Sequence, residues 1–413
     1  MFIALLTLLP VGCAPITEFV ASKTLKLNSD SADIEETINE ITPTVSKKTV
    51  TTTEQTAVSM LDKSDESELI PEEKVLTLEP SLASPPTNVW DDIRPLLELG
   101  KLQHPRVQKA ITYYEGKQRF FNRISQNATP YIPYAFQQIN KHGLPGEVIL
   151  LPIIESAYNP LALSSSGAAG LWQFIPPTGK QFNLRQTWWY DGRRDVVAST
   201  SAAIEYLQYL NKWANGDWLL TFAAFNAGEG TVGRAIKRNE TQGKPTDFWS
   251  LDLPNETELY VPRLLAISAI VINPTLFDIK LPPIDNTVAF KAVHVGHQMD
   301  LALVGDLAAT PLGVLATLNP GYKQWASDPE GPHRFLIPSS KEHQFLTALA
   351  DRDPTSLVTW HRHIIVTNET LSGIANQYRT SVAEIRRVNK ITGSLIRAGE
   401  ALVVPVPRKG KVY

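Results

Sequence analysis

The stretch from Leu150 to Leu184, LLPIIESAYNPLALSSSGAAGLWQFIPPTGKQFNL, decides how the whole chain is interpreted. It places one carboxylate, Glu155, at the end of an almost wholly apolar run, Val148 to Ile154. A carboxylate on such a flank must find a partner or stay protonated, and apolar surroundings raise its pKa. A Glu tuned in this way donates a proton near neutral pH, as a glycosidase general acid does. The alternative is a helix-terminal Glu that faces solvent.

The residues that follow Glu155 form an ordered set of motifs. Ser156 comes next, Asn159-Pro160 signals a turn, and a serine-rich loop leads into G-L-W-Q-F at 170–174. A-F-N-A-G follows at 224–228. In this order the motifs resemble those of the lytic transglycosylase family, whose members have lysozyme-like folds. The resemblance extends from about Asn88 to Tyr413, and the combination of motifs is more specific than any one of them.

The resemblance implies roles for the residues that match the family's motifs. Glu155 matches the sole catalytic acid/base. The expected substrate-binding residues are Ser156, Gly170, Leu171, Trp172, Gln173, Asn226, Ala227 and Tyr260. Phe225 stands where the family usually has Tyr, so the hydroxyl of that Tyr is missing or supplied elsewhere. For Phe225 and Tyr260 the alternative is ordinary aromatic packing in the core.

The implied chemistry needs a single carboxylate, whereas ordinary glycosidases use two. Glu155 is expected to protonate the glycosidic oxygen between N-acetylmuramic acid and N-acetylglucosamine, and the muramic acid 6-hydroxyl then closes a 1,6-anhydro ring without water. Asp191, Asp195 and Glu229 are the nearest candidates for a second carboxylate, but all three resemble turn or cap residues. Two alternatives stay open: a hydrolytic muramidase of goose-lysozyme type, and a wall-binding scaffold that does not cut.

Length and composition exclude several classes of protein. A chain of 413 residues is too long for one ordinary core. The net charge of -3 argues against a nucleic-acid binder, and the single cysteine excludes an intramolecular disulfide. Tryptophans cluster between Trp172 and Trp249, which suits either a sugar groove or core packing.

The N-terminus predicts export and anchoring. An apolar run, Met1 to Leu9, precedes Cys13 in LPVGCA, and this pattern resembles a bacterial lipoprotein signal over residues 1–13. Pro10 and the lack of a preceding Lys or Arg depart from that pattern, and an unlipidated signal peptide is the alternative. Residues 14–87 are polar and predict a disordered tether. We therefore expect a periplasmic monomer, lipidated at Cys13 and held at a cell membrane, with the outer membrane preferred.

Residues 88–281 predict a mainly α catalytic domain of the lysozyme-like, goose-type class. Amphipathic helices are expected over His104 to Ile124, Tyr131 to His142 and Arg193 to Trp213. Val261 to Ile272 is apolar on all sides and too short for a membrane span, which predicts a buried central helix.

The C-terminal part matches itself at an offset of 70 residues, for example Leu301 with Leu371 and Asn319 with Asn389. Each copy predicts a small α+β unit of strand, two helices and strand, and only the spacing before the last strand differs. The second copy, 359–407, resembles a LysM module, which binds N-acetylglucosamine-containing chains. Its expected glycan-binding residues are Thr370, Leu371, Leu395 and Ile396. The first copy, 282–350, is degenerate, and a structural spacer packed on the catalytic domain is the alternative to sugar binding.

Other chemistries have little support. The sequence has no HExxH, no CxxC and no phosphate-binding glycine loop. His294 with His297 and His361 with His363 are isolated pairs, which are more often structural than metal-binding. We expect no metal ion and no cofactor, and we expect the partners to be peptidoglycan glycan strands and, through the lipid anchor, a membrane.

Overall fold

The computed structural model describes residues 87–407, so the predicted signal, Cys13 and the tether lie outside the described residues. The helices are α1 (Val89–Ile93), α2 (Pro105–Tyr114), α3 (Gln118–Ala128), α4 (Ile132–Lys141), α5 (Glu147–Ser156), α6 (Pro176–Gln181), α7 (Val196–Trp213), α8 (Trp218–Ala227), α9 (Glu229–Thr241), α10 (Asn255–Ile272), α11 (Leu301–Ala308), α12 (Leu312–Leu318), α13 (Glu342–Ala350), α14 (Leu371–Gln377) and α15 (Val382–Val388). The strands are β1 (Phe290–His294), β2 (Arg334–Pro338), β3 (Thr359–Ile364) and β4 (Ala401–Val406). The fold class is mainly α, with two small α+β units.

Helix α10 is the central helix of the N-terminal helical part. Its residues from Tyr260 onward are almost all buried, and it packs against α2, α5 and α8. The prediction of a buried central helix is therefore confirmed. Among residues 87–407, no single helix is both long and apolar enough to cross a bilayer, and only the pair α11–α12, bent by 113°, passes that test jointly.

One predicted helix is divided in two. The sequence predicts a continuous helix from His104 to Ile124, but α2 ends at Tyr114 and α3 begins at Gln118. Gly116 adopts a left-handed φ of +70°, which a helix interior does not permit, and its N–H donates to Phe277 O. The amphipathic pattern continues through the break because both helices lie on the same core.

The C-terminal part consists of two βααβ units, as the internal repeat predicts. In the first unit β1 pairs antiparallel with β2, with Phe290 opposite Pro338. In the second unit β3 pairs antiparallel with β4, with Thr359 opposite Val406. The helices of each unit, α11–α12 and α14–α15, lie between its two strands in the chain.

The two units differ in how they are buried. The first shares the apolar core of the helical part through Phe290, Leu318 and Leu336. The ring of Tyr134 lies 5.3 Å from that of Phe290, and Tyr131 donates its hydroxyl to Thr317 O at 2.7 Å. The second unit has a small core of its own. The interpretation of the first copy as a unit packed on the helical part agrees with these contacts.

Candidate active site

Helix α5 holds Glu155 at its C-terminal end, and the helix itself is fixed by burial. Nine of its ten residues are buried, and only Glu155 keeps partial contact with solvent. At the other end, Glu147 Oε1 accepts hydrogen bonds from the backbone N–H groups of Leu99 and Gly100 and from the Ser268 hydroxyl. Both ends of α5 therefore carry a carboxylate, and only the one at Glu155 retains partial exposure to solvent.

The chain leaves α5 through two strained residues. Ala157 and Tyr158 have left-handed φ values of 49° and 58°, and neither is glycine. Such residues cost of the order of 1–3 kcal/mol each and gather at functional sites. Asn127 Nδ2 donates to Ala157 O at 2.9 Å, and the Tyr158 hydroxyl donates to Ile149 O at 2.7 Å, so the strained turn is held from both sides.

Glu155 is paired with Tyr260 across the site. The Tyr260 hydroxyl donates to Glu155 Oε1 at 2.5 Å. Burial raises the pKa of Glu155 to about 8; the hydrogen bond from Tyr260 works against this rise, and the negative charge of Glu256 adds to it. Burial and the neighbouring carboxylate also raise the pKa of Tyr260 well above its usual value, so its hydroxyl keeps the proton that it donates.

Ser156 fastens α5 to the loop that carries the G-L-W-Q-F motif. Its hydroxyl is buried and has two carbonyl acceptors within hydrogen-bond distance, Leu171 O at 2.9 Å and Pro152 O at 3.1 Å. The side chains of Leu171 and Trp172 are also buried, each only 1% exposed, and Trp172 Nε1 donates to Thr200 Oγ1. All three side chains are enclosed by α5, α7 and the loop, so their assignment as substrate-binding residues stays a prediction.

Gly170 and Gln173 give this loop its shape. Gly170 has a φ of +86°, and a Cβ atom built there would lie 1.9 Å from Arg193 O. Gln173 is itself left-handed, with a φ of 48°, and its Nε2 donates to Gly170 O at 2.8 Å. The glycine is therefore required by a close approach of two backbone segments, which the sequence motif does not reveal.

Asn226 and Ala227 lie at the end of α8, both partly exposed. Asn226 Oδ1 accepts a hydrogen bond from Thr257 Oγ1 at 2.8 Å, which ties α8 to the first turn of α10. The ring of Phe225 packs on the ring of Tyr206, with the two centroids 5.5 Å apart. Aromatic packing, the alternative that the sequence left open for Phe225, therefore describes this residue. Tyr260, by contrast, reaches the Glu155 carboxylate.

Two of the candidates for a second carboxylate are paired with arginine. Asp191 is paired with Arg193 at 2.8 Å, and Asp195 with Arg334 at 2.7 Å. Glu256, whose charge acts on Glu155 and Tyr260, is not among the residues predicted from the sequence. The spacing could have revealed it, because Glu256 and Tyr260 in ETELY are four residues apart and share a helix face.

The expected glycan-binding residues of the second copy are placed unequally. Thr370 caps α14 through its hydroxyl, and Leu371 is buried in the core of the unit. Leu395 is 78% exposed, and Ile396 is partly buried. His363 contacts the Tyr378 hydroxyl and Glu369 Oε2. No group of three or more potential metal ligands occurs between residues 87 and 407.

The tryptophans between 172 and 249 do not form one surface. Trp172 and Trp189 are buried, whereas Trp188 is 37% exposed. Trp249 stacks on His104 with ring centroids 3.7 Å apart. Core packing, which is one of the two interpretations that the sequence allows for these tryptophans, therefore accounts for part of the cluster.

Comparison with known proteins gives three family matches. Residues 134–248 match the transglycosylase SLT domain. Residues 289–353 match the LysM-like domain of lytic transglycosylase MltD, and residues 363–405 match the LysM domain.

Individual relatives agree with these matches. Membrane-bound lytic murein transglycosylase D of Escherichia coli K12 is 38% identical over 331 residues, which cover 78% of this chain and 73% of the relative. Membrane-bound lytic murein transglycosylase C of Actinobacillus succinogenes is 26% identical over 164 residues, 36% of this chain and 46% of that protein. Among solved structures, the 70 kDa soluble lytic transglycosylase of Escherichia coli aligns with 32% of this chain and 22% of its own, with 25% identity and a TM-score of 0.25.

Proposed function

The chain belongs to the membrane-bound lytic murein transglycosylase D family and is a lyase that acts on peptidoglycan, and on that premise we propose its bond, product and catalytic residue. The scissile bond is the β-1,4 linkage between N-acetylmuramic acid and N-acetylglucosamine. The product is a 1,6-anhydro-muramic acid end. Glu155 serves as the only acid and base.

The reaction needs one proton carrier. Glu155 in its neutral form gives its proton to the glycosidic oxygen, the bond from that oxygen to C1 breaks, and N-acetylglucosamine leaves with a free 4-hydroxyl. The carboxylate then takes the proton of the muramic acid 6-hydroxyl while that oxygen bonds to C1. Glu155 ends the cycle protonated, and no water is consumed.

One observation carries this proposal: the carboxyl of Glu155, a residue that is partly exposed, accepts a hydrogen bond from the Tyr260 hydroxyl at 2.5 Å and has a pKa raised to about 8. Such a group is neutral, and so able to donate, at neutral pH. Its conjugate base is then strong enough to take a proton from a hydroxyl in the second step.

The product distinguishes the proposal from its alternatives. Digestion of purified sacculi should release muropeptides that are lighter by one water than those with reducing ends, as measured by mass spectrometry. A muramidase would give reducing ends instead, and a binding scaffold would release nothing. Glu256 favours the muramidase alternative, because it is a second carboxylate near Glu155. Under that alternative Glu256→Gln would abolish turnover, whereas our proposal expects turnover to persist.

Two substitutions on α10 should move the alkaline limb of the pH–activity profile in opposite directions. Glu256→Gln removes a charge that raises the pKa of Glu155, so the limb should move to lower pH. Tyr260→Phe removes a hydrogen bond that lowers this pKa, so the limb should move to higher pH, with a lower kcat. The profile of kcat/KM on soluble glycan strands reports the free enzyme. Shifts in the same direction would contradict the assignment.

The remaining parts of the chain have proposed roles around this activity. We assign catalysis to residues 88–281, a degenerate LysM-like unit to 282–350, and glycan binding to the LysM unit 359–407. Leu395 offers an exposed apolar side chain for the flat face of a sugar. Names of membrane-bound relatives support an enzyme that works at a membrane, for which lipidation of Cys13 would supply the anchor, and the periplasm is the proposed compartment. The outer membrane is the proposed site and a monomer the proposed state.

A further inference from the structure

Besides the contacts of Phe290 and Thr317, the first βααβ unit meets the helical part through residues 319–333, which we call the docking loop. The Asp191 N–H donates to Gly321 O, and the Lys323 N–H donates to Trp189 O, both at 2.8 Å. Tyr190 and Tyr322 form an antiparallel bridge between these two bonds. The docking loop therefore pairs with residues 185–195, which we call the facing segment, as one strand pairs with another.

Side chains reinforce this pairing at its centre. Asp195 accepts hydrogen bonds from Arg334 Nη2 at 2.7 Å and from the Tyr190 hydroxyl at 2.9 Å. It also caps α7 through the Ala198 N–H. The Arg334 and Asp195 side chains are only 16% and 10% exposed, so removal of one charge leaves the other buried without its partner.

The facing segment in turn holds the loop of residues 162–174, which carries the G-L-W-Q-F motif. Both Asp191 oxygens accept hydrogen bonds from the Arg193 guanidinium. Nη1 of that guanidinium donates to Gly167 O at 2.6 Å and to Phe174 O at 3.2 Å, at the two sides of the motif. At Leu171 O the same loop accepts the hydroxyl of Ser156, the residue after Glu155. A continuous set of contacts thus joins the first unit to the catalytic helix.

The second unit shows what this edge looks like without a partner. Asn319 and Asn389 are equivalent in the repeat, yet β2 begins fifteen residues after the former and β4 twelve after the latter. The shorter loop of the second unit is mostly exposed, with Leu395 at 78%. The longer docking loop is mostly buried. Within it, the Asp328 carboxylate accepts hydrogen bonds from Arg185 and Thr187 of the facing segment, so this side chain is not free to face a sugar.

We propose that the first unit is an internal clamp: the edge that corresponds to the glycan-binding edge of the second unit instead binds the facing segment and holds the motif loop in place beside Glu155. Arg334 is a positioning residue in this arrangement. The edge of the first unit does not bind glycan. This inference rests on the proposed function of Glu155.

The test uses the full chain with Arg334→Met. Hydrogen exchange of residues 162–174 should become faster, and kcat on soluble glycan strands should fall about tenfold, because small misplacement of a positioned substrate is costly. KM should change less than twofold, since the LysM unit is untouched. Arg334→Lys should restore most of kcat by keeping a charge near Asp195. Arg185→Ala, at the 41% exposed rim of the junction, should give a smaller change of the same kind in a chain that stays folded.

Matched controls separate the clamp from general damage. Arg238 also bonds a carboxylate and a carbonyl, both of Asp252, but lies on α9, and Arg238→Met should leave exchange and kcat at wild-type values. Unchanged exchange of residues 162–174 with wild-type kcat in both Arg334→Met and Arg185→Ala would overturn the proposal. So would protection of residues 319–333 by added N-acetylglucosamine oligomers, because the proposal expects these oligomers to protect the second unit but not the docking loop.

Failure of the proposed function gives a different result. An active Glu155→Gln variant would refute the role of Glu155, while the exchange measurement on Arg334→Met would still decide whether the clamp exists. An inactive Glu155→Gln variant with wild-type exchange at 162–174 is the result expected if both are correct.

Discussion

Glu155→Gln should reduce the release of soluble muropeptides from purified sacculi by about 10²–10⁴-fold, the usual contribution of a general acid or base. The amide has nearly the same shape as the acid but neither gives nor takes the proton. Glu147→Gln is the matched control, because it makes the same change at the other end of α5, where the carboxylate contacts only Leu99, Gly100 and Ser268. That variant should lose stability but keep its activity per folded molecule.

The same substitution should reveal the pKa of Glu155 through stability. The carboxyl has an ordinary pKa of 4.5 in the unfolded chain and about 8 in the folded one, so the folded state binds more protons between these values. Wild-type stability from this group is complete below about pH 4.5 and is lost as the pH rises to about 8. Glu155→Gln should therefore unfold at a higher temperature than wild type, by a margin that grows from pH 5 to pH 8 and then levels off. A constant margin would show that the pKa is not raised.

Gly170→Ala should cause the largest loss of stability among single methyl additions in the motif loop. A Cβ there would lie 1.9 Å from Arg193 O and 2.7 Å from Arg193 C, and both are backbone atoms that cannot rotate away. Left-handed strain and overpacking together predict a loss of about 2–5 kcal/mol in the free energy of unfolding. Denaturant unfolding measures this value, and activity should fall with it because the loop is fastened to α5.

Gly143→Ala separates the two causes. Gly143 also has a left-handed φ, +65°, but nothing lies within 4 Å of a Cβ at that position. Strain alone predicts a loss of about 1–2 kcal/mol there. Equal losses at the two positions would mean that the contact with Arg193 carries no weight.

The sequence predicted those features that depend on local pattern. The apolar run that ends at Glu155 predicted a buried helix and a carboxyl whose pKa is raised by burial, and the local pattern indicates both before any long-range contact is known. The repeat predicted two βααβ units, because matching apolar positions at a constant offset require matching folds.

Features that depend on contacts between distant segments were not predicted. The burial of the Trp172 side chain is one of them, because its indole bonds Thr200 of α7, which lies 28 residues away. Glu256 was missed since its influence on Glu155 acts across 101 residues of sequence. The split at Gly116 depends on a carbonyl of Phe277 that no local pattern indicates.

The position of the docking loop has a practical consequence for shortened forms of this protein. A fragment that stops at residue 281 would uncover the rings of Trp189 and Tyr190 and leave Asp195 without Arg334. Exposed aromatic area and an uncompensated buried charge both favour aggregation. The shortest piece suited to crystallisation or inhibitor screening therefore continues through β2 and α13 to about residue 358, because Leu357 and Val358 belong to the same buried apolar cluster.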